Sequence, residues 1–173
     1  KEGWHKAFAS NPDAEWYWNT LAFPESATRA HHEATYGPDF PYERFAEIFR
    51  AATRDWSPAP WAQLFARAGA RYVVLTTKHH DGFLLWPSAH KSPRMSDWQS
   101  ERDLVGDLTR SLGAAGMRMG LYYSGGIDWP FEGRPVRDLA GLMKAIPQSP
   151  EYARYADAHW REMRQAAKNV GQA

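Results

Sequence analysis

Two stretches of the chain have the hydrophobic pattern of β-strands. Arg71 to Thr77 is a β-branched and aromatic run, which predicts a buried strand. Met117 to Ser124 alternates, so its side chains divide between two faces. One face carries Met117, Met119, Leu121 and Tyr123, and the other carries Arg118, Gly120, Tyr122 and Ser124. We expect helices to cover the first face, and the second face to line the inside of a barrel or the floor of a site.

Helical spacing of apolar residues predicts most of the other elements. The predicted helices are Tyr42 to Ala52, a segment from Ser57-Pro58 to Gly69, a segment from a capping box of Ser100 and Asp103 to Gly116, a short helix from Asp138 to Ala145, and Pro150 to Ala167. Lys1 to Phe40 shows no sustained period, so we expect a loop region that either covers the core or binds a ligand. Strand, helix and strand in this order predict an α/β fold with a right-handed βαβ unit. No further strand-forming run follows Ser124.

Polar and aromatic residues follow both predicted strands. Lys-His-His-Asp-Gly occupies positions 78–82, and Gly-Gly-Ile-Asp-Trp occupies positions 125–129. In parallel α/β folds the loops after the strands hold the chemistry, while the strands position them. We therefore predict a functional site at the carboxyl ends of these two strands.

The adjacent histidines His79 and His80 allow more than one role. Neighbouring residues on extended backbone point to opposite sides, and no third ligand stands at a recognised spacing, so we expect neither a metal nor another cofactor. Imidazoles can hydrogen-bond a polar substrate, since each ring both donates and accepts. The alternative is a structural pair, with one histidine buried and one exposed.

Three acidic residues stand in loops that could converge, namely Glu15, Asp81 and Asp128. A hydrolase that works with paired carboxylates needs two acids across its substrate. Asp81 precedes a glycine, which is typical of a turn residue, whereas Glu15 stands among aromatic residues and is the better candidate for a ligand contact. Neither a phosphate-binding glycine loop nor a G-x-S-x-G elbow is present in the sequence.

Composition narrows the classes of partner. A formal net charge of +1 over 173 residues, with no basic stripe, argues against nucleic acid and anionic membranes. The apolar runs are too short to span a bilayer, and the first residues show no signal peptide. An aromatic content of 14% suits the faces of sugar rings as well as ordinary packing. Cysteine is absent, which excludes disulfides and thiol nucleophiles and favours the cytoplasm without deciding the compartment.

Several strings of the chain resemble the α-L-fucosidases of glycoside hydrolase family 29. They are VVLTTKHHDGFLLWPS, ERDLV and GLYYSGGIDW, and the likeness reaches back through EWYWN and HHEATYGPDFPYERFAEIF. The resemblance implies a (β/α)8 barrel that hydrolyses terminal α-linked L-fucose with retention, using a carboxylate nucleophile and a second acid. A fucosylated glycan or fucoside is the implied substrate.

The same resemblance implies five substrate-binding residues. His79 and His80 match the family's histidine pair that hydrogen-bonds fucose hydroxyls. Glu15 and Trp16 match its Glu-Trp pair in the sugar pocket, and Tyr122 matches the tyrosine of its G-L-Y strand. The alternation of the second predicted strand independently turns Tyr122 inward.

Two departures from the family pattern bear on activity. The family's first strand ends in His-Trp-Gly, which is not found here, and the family's nucleophile follows a helix that corresponds to Pro150 onward, where this chain diverges. No nucleophile and no acid/base residue can be assigned, and a (β/α)8 domain typically needs about 250 residues. We therefore expect residues 1–173 to be the incomplete N-terminal portion of a catalytic barrel, made of its early βα units and inactive alone.

Two other functions stay open from the sequence. The chain could be a non-catalytic fucose-binding or carbohydrate-binding module, completed by a partner chain or by a homo-oligomer. It could also be a product without a function of its own, which exposed strand edges and aggregation would favour.

Overall fold

Two parallel strands lie at the centre of the fold. The computed structural model of the protein describes residues 11, 13–131 and 135–170, so the irregular start expected for residues 1–10 lies outside the described residues. Strand β1 (Tyr72–Lys78) pairs in parallel with β2 (Arg118–Tyr123), with Tyr72 opposite Arg118. A helix joins the two strands, and the predicted α/β class is confirmed.

Helices make up about half of the remaining described chain. In chain order they are α1 (Tyr17–Thr20), α2 (Ala27–Tyr36), α3 (Phe45–Thr53), α4 (Ala59–Arg67), α5 (Leu104–Ala114), α6 (Leu139–Lys144) and α7 (Pro150–Val170). Short 3-10 turns at Ala14–Trp16 and Tyr42–Arg44 precede α1 and α3. The five predicted helices correspond to α3 through α7, each within a few residues. Within the described ranges, no helix is long and apolar enough to span a membrane.

The segment before Phe40 is more helical than its sequence indicated. We expected a loop region, but α1 and α2 occupy much of it. Helix α2 begins after Ser26, whose hydroxyl accepts a hydrogen bond of 2.9 Å from the Arg29 N–H. Its buried residue is His32 rather than an aliphatic one, which explains why no hydrophobic period marks this helix.

The start of α5 also differs from the prediction. Asp103 is the N-cap, and its carboxylate accepts a hydrogen bond of 2.8 Å from the Gly106 N–H. Ser100 lies before the helix, and its hydroxyl donates to the Arg102 carbonyl at 2.7 Å. The predicted capping box of Ser100 and Asp103 is therefore wrong, because the helix begins at Leu104.

Helices cover only one face of the sheet. The covered face packs into two hydrophobic clusters that include Val73, Leu75, Met119, Leu121, Leu108 and Leu112. On the opposite face, Tyr72 is 67% exposed and Val74 is 56% exposed. The prediction of a fully buried first strand is therefore wrong, because no described element covers that second face.

Strand β1 contains one extra residue near its end. Thr76 pairs with Tyr122 and Lys78 pairs with Tyr123, so Thr77 forms a β-bulge. Exposed and partly buried side chains alternate up to Thr76, whereas Thr77 and Lys78 are both buried. The bulge thereby turns Lys78 into the core just before the His79-His80 loop begins.

Candidate functional site

The loops that follow β1 and β2 meet at the carboxyl edge of the sheet. The Trp129 backbone N–H donates to the His80 carbonyl at 2.8 Å. The Trp129 indole N–H donates to the Glu15 carbonyl at 3.2 Å. One residue of the second loop therefore joins three segments of the chain that are distant in sequence.

The imidazole rings of His79 and His80 are in edge-to-face contact. Their centroids are 4.2 Å apart. We expected the two side chains on opposite sides of an extended strand, and this is wrong because β1 has already ended at Lys78. The chain turns here instead, with the Gly82 N–H donating to the His79 carbonyl at 3.0 Å.

Aromatic residues surround the histidine pair. Tyr122 stacks on His79 with 5.6 Å between ring centroids. Trp16 and Trp129 meet the His80 ring edge-on, at centroid distances of 5.9 and 5.7 Å. Tyr122 is 45% exposed and the following Tyr123 is 6% exposed, which confirms the alternation predicted for β2.

Both histidines are neutral at neutral pH. Burial lowers the pKa of His79, although the negative charges of Glu15 and Asp81 oppose this change. Burial, together with the adjacent His79 and with Lys78, lowers the pKa of His80 to about 4. A neutral imidazole offers one donor and one acceptor, which suits the recognition of hydroxyl groups.

Glu15 is the only one of the three candidate acids that keeps a carboxylate without a hydrogen bond or ion pair to another described residue. It is partly buried, and its charge acts on both histidines. Glu15, Trp16 and Tyr122 thus lie at the same edge of the sheet as the two histidines. All five residues predicted for the site are therefore found there.

Asp81 has the turn role that its sequence context indicated. Its Oδ1 accepts a hydrogen bond of 3.1 Å from the Phe83 N–H, and its Oδ2 accepts one of 3.2 Å from the Tyr42 hydroxyl. Burial raises the pKa of Asp81, against the effect of these two bonds. The carboxyl group is thus committed to holding the loop.

Asp128 forms a buried ion pair with Lys78. The Lys78 Nζ lies 2.7 Å from Asp128 Oδ2, and the two side chains are 0% and 1% exposed. Burial raises the pKa of Asp128 to about 6, although Lys78 opposes the change. Burial likewise lowers the pKa of Lys78, against the attraction of Asp128. Asp128 therefore serves as the counter-ion of a lysine inside the core.

Comparison with known proteins decides the family. The family model described as alpha-L-fucosidase matches residues 3–170. The chain belongs to the alpha-L-fucosidase family. It is 41% identical over 126 residues to an alpha-L-fucosidase of Dictyostelium discoideum, and the match covers 68% of this chain and 26% of that protein. The chain thus spans about a quarter of this relative's length.

Solved structures of fucosidases share the fold of this family member. The crystal structure of Thermotoga maritima alpha-fucosidase in complex with a mechanism based inhibitor matches with a TM-score of 0.85 and 45% identity, over 94% of this chain and 38% of that one. The structure of the same enzyme in complex with fucose matches with a TM-score of 0.84 and 45% identity, over 93% of this chain and 38% of that one.

Sequence reasoning missed two residues that lie in this candidate site. The Ser124 hydroxyl lies 3.1 Å from His80 Nδ1, and Trp129 flanks the same ring. An aromatic residue in a loop after a parallel strand was the available signal for Trp129. For Ser124 the signal was its place on the same predicted face as Tyr122. In the described part of the chain, no group of three His, Cys, Asp or Glu side chains is arranged to hold a metal ion.

Proposed function

We propose that this chain is the N-terminal part of the catalytic domain of a retaining alpha-L-fucosidase, and that its site binds the fucose ring. The proposed binding residues are Glu15, Trp16, His79, His80 and Tyr122. The observation that carries the proposal is their convergence, from three separate segments, on one edge of a parallel sheet. Family membership supports fucose as the sugar.

The chemistry of these side chains suits a deoxy sugar. Neutral His79 and His80 can donate to and accept from ring hydroxyls, and the Glu15 carboxylate can accept from them. Trp16 and Tyr122 add flat apolar surface for the ring carbons and the methyl group. A site of few polar groups on an aromatic wall is the usual form of a small-molecule pocket.

Two features of the sheet support the proposal that its strands belong to a larger barrel. Each strand pairs along one edge only in the described part. Tyr72 and Val74 are exposed on the face opposite the helices, where the strands of a closed barrel would place interior side chains. We propose that residues 1–173 supply early βα units of a (β/α)8 barrel, with the fucose site at its carboxyl-terminal face.

The chain alone is proposed to bind fucose without hydrolysing fucosides. Retaining glycosidases place two carboxyl groups about 5 Å apart across the bond that is cleaved. Asp81 and Asp128 are engaged in a turn and in an ion pair, which leaves Glu15 as the open acid of this cluster. The chain spans 38% of the Thermotoga fucosidase, so the remaining part of such a domain is the proposed source of the catalytic carboxyl groups.

The test is a titration of the 173-residue chain with free L-fucose. NMR signals of the histidine and aromatic side chains report the binding. L-rhamnose, another deoxy-L-hexose, is the matched control. Shifts at His80 and Tyr122 with L-fucose only, and their loss in His80→Ala, would support the site. An equal response to both sugars, or none to either, would overturn it. Release of nitrophenol from nitrophenyl α-L-fucoside by the same sample would contradict the proposed inactivity.

A non-catalytic module completed by another chain is the second candidate, and the exposed face with Tyr72 and Val74 favours it. The two candidates differ in what the completing part restores. Joining residues 1–173 to the remainder of the Thermotoga fucosidase should restore hydrolysis if the chain is a catalytic portion. A chimaera that folds and binds L-fucose without turnover would favour the binding module.

A further inference from the structure

Ser124 is hydrogen-bonded to one nitrogen of the His80 ring. The Ser124 Oγ and the His80 Nδ1 are 3.1 Å apart. Ser124 is 5% exposed, so its hydroxyl is largely shielded from water. Within the described ranges, this hydroxyl has no hydrogen-bond partner other than His80. A hydroxyl carries one proton, and the available acceptor for it is His80 Nδ1.

We propose that Ser124 is a positioning residue that fixes His80 in the tautomer with its proton on Nε2, so that the ring presents an N–H donor to the bound sugar. The inference rests on the proposed function, because the sugar is the ligand of that site. It assigns a direction to one hydrogen bond: the ring donates and a sugar oxygen accepts.

The backbone of Ser124 is held at both of its polar groups by one residue. The Ser124 N–H donates to the Lys78 carbonyl at 3.0 Å, and the Lys78 Nζ donates to the Ser124 carbonyl at 2.7 Å. Lys78 is itself fixed by Asp128 at 2.7 Å and lies 3.4 Å from the Tyr152 hydroxyl. Because this lysine is completely buried, the backbone of Ser124 is held firmly beside the His80 ring.

Two tryptophan rings also confine the His80 ring. The His80 carbonyl accepts from the Trp129 N–H at 2.8 Å, and Trp16 and Trp129 flank the ring with their edges. A half-turn of the imidazole would place a carbon where Nδ1 now meets the Ser124 hydroxyl. A buried hydroxyl left without a hydrogen bond is destabilising, so ring orientation and tautomer are coupled.

His79 provides a contrast within the same site. Its Nδ1 is buried and has no hydrogen-bond partner among the described residues. Among the described residues, therefore, no group selects the tautomer of His79 through Nδ1. Burial lowers the pKa of His80 to about 4, so at neutral pH the position of one proton on the ring, rather than its charge, decides what the ring offers a ligand. We expect His80 to be a preset donor and His79 to adapt to the hydroxyl it meets.

The experiment observes the ring nitrogens directly. Long-range proton–nitrogen correlation spectra of the full chain, labelled in histidine, separate protonated from unprotonated ring nitrogens, and His80→Gln assigns the signals. The expected wild-type result is an unprotonated Nδ1 and a protonated Nε2 on His80. In Ser124→Ala, we expect both tautomers to appear and the Kd for L-fucose to rise about fivefold, the loss typical of one neutral hydrogen bond. Ser124→Thr keeps the hydroxyl and should restore both readouts.

Ser100→Ala is the matched control, because Ser100 is 1% exposed and its hydroxyl donates to the Arg102 carbonyl outside the site. It should leave the His80 signals unchanged. A wild-type His80 protonated on Nδ1, or a Ser124→Ala spectrum like that of Ser100→Ala, would overturn the proposal. If Ser124→Ala does not fold, the wild-type and Ser124→Thr spectra still decide it. The two proposals can also fail separately. If His80 carries its proton on Nε2 but the chain does not bind L-fucose, the proposed function is refuted and the proposed tautomer of His80 is supported.

Discussion

The Lys78 ammonium and the Asp128 carboxylate lie 2.7 Å apart in a part of the core that solvent does not reach. Lys78 ends β1 and Asp128 stands in the loop after β2, so the pair connects the two segments that carry the candidate site. Other described groups also contact the lysine, namely the carbonyls of Ser124 and Ile127, the hydroxyl and ring of Tyr152, and the Tyr123 ring. Loss of either charge should therefore affect both stability and the geometry of the site.

Removing one partner of this pair should destabilise the protein more than removing both. Lys78→Met leaves a buried carboxylate unpaired and Asp128→Asn leaves a buried ammonium unpaired, and each should lower the free energy of unfolding by about 3–5 kcal/mol. The double variant should lose less than the sum of the two, as measured by urea unfolding near neutral pH. Lys91→Met is the control, since Lys91 pairs with Asp97 at 3.7 Å on the surface and should change stability by less than about 1 kcal/mol. Additive losses in the double variant would contradict the expectation.

The neighbours His31 and His32 should differ sharply in their effect on stability. His32 is 2% exposed, and its two ring nitrogens lie 2.9 Å from the Tyr17 hydroxyl and 2.8 Å from the Phe40 carbonyl. His32→Ala should therefore cost about 3 kcal/mol through a cavity and unsatisfied partners. His31 is exposed, and His31→Ala should cost less than about 0.5 kcal/mol. Similar denaturation midpoints for the two variants would refute this assignment.

Tyr122 and Tyr123 should separate sugar binding from stability. Tyr122→Ala removes the exposed ring that stacks on His79, and should weaken L-fucose binding about fivefold to tenfold while changing stability by about 1 kcal/mol or less. Tyr123→Ala removes a buried ring whose hydroxyl lies 3.1 Å from His159 Nδ1, and should cost about 3–5 kcal/mol. Calorimetric titration and urea unfolding of both variants provide the comparison. Unchanged L-fucose affinity in a folded Tyr122→Ala would remove Tyr122 from the site.

Acid should destabilise the protein partly through His80. The histidine titrates near 6.5 when unfolded and at about 4 when folded, so the unfolded state binds more protons between these values. The contribution of His80 to the free energy of unfolding should therefore fall as pH is lowered from about 6.5 towards 4. Asp128 acts in the opposite sense and by a similar amount, because its pKa is raised from 3.8 to about 6 in the folded state. His80→Gln removes only the first contribution, so the stability of this variant relative to the wild type should rise as pH is lowered, as followed by urea unfolding of both proteins across this range. A difference between the two proteins that does not change with pH would show that His80 does not contribute.

Gly82 should tolerate alanine less well than Gly69. Both have positive φ, 78° and 77°, so each alanine meets the same left-handed strain of about 1–2 kcal/mol. A Cβ at Gly82 would also lie 2.9 Å from Asp128 Oδ1 and 3.1 Å from Pro130, whereas at Gly69 it meets nothing within 4 Å. The difference in unfolding free energy between Gly82→Ala and Gly69→Ala should be about 1–3 kcal/mol, the cost of overpacking. Equal losses would show that the loop relaxes around the added methyl group.

Regular aliphatic spacing made much of the fold predictable. Helix α5 presents Leu104, Leu108 and Leu112 to the core at helical intervals, and β2 alternates as its sequence indicates. Helix α2 was not predicted, because its buried residue is a histidine held by Tyr17 and Phe40, which both lie outside the helix. The exposure of one face of β1 was not predicted, because the hydrophobicity of a strand does not show whether another element covers it.

The sequence predicts which residues lie at the candidate site better than it predicts how their side chains are arranged. Alternation correctly placed Tyr122 on the open face. The approach of the His79 and His80 rings was not predictable, because it depends on a turn that begins where the strand ends. The role of Ser124 likewise depends on Lys78, through contacts between residues far apart in the chain. Local patterns do not encode such tertiary hydrogen bonds.

The bulge gives β1 one position at which a change of length has a different consequence from a change elsewhere in the strand. Deletion of a residue from a regular strand shifts its register and turns the side chains beyond it to the other face. Thr77 is the extra residue, so its deletion would leave Lys78 directly after Thr76, opposite Tyr123 and on the covered face as it is now. Loss of one residue at the bulge is therefore compatible with the present direction of Lys78, whereas a single-residue insertion or deletion between Tyr72 and Thr76 is not.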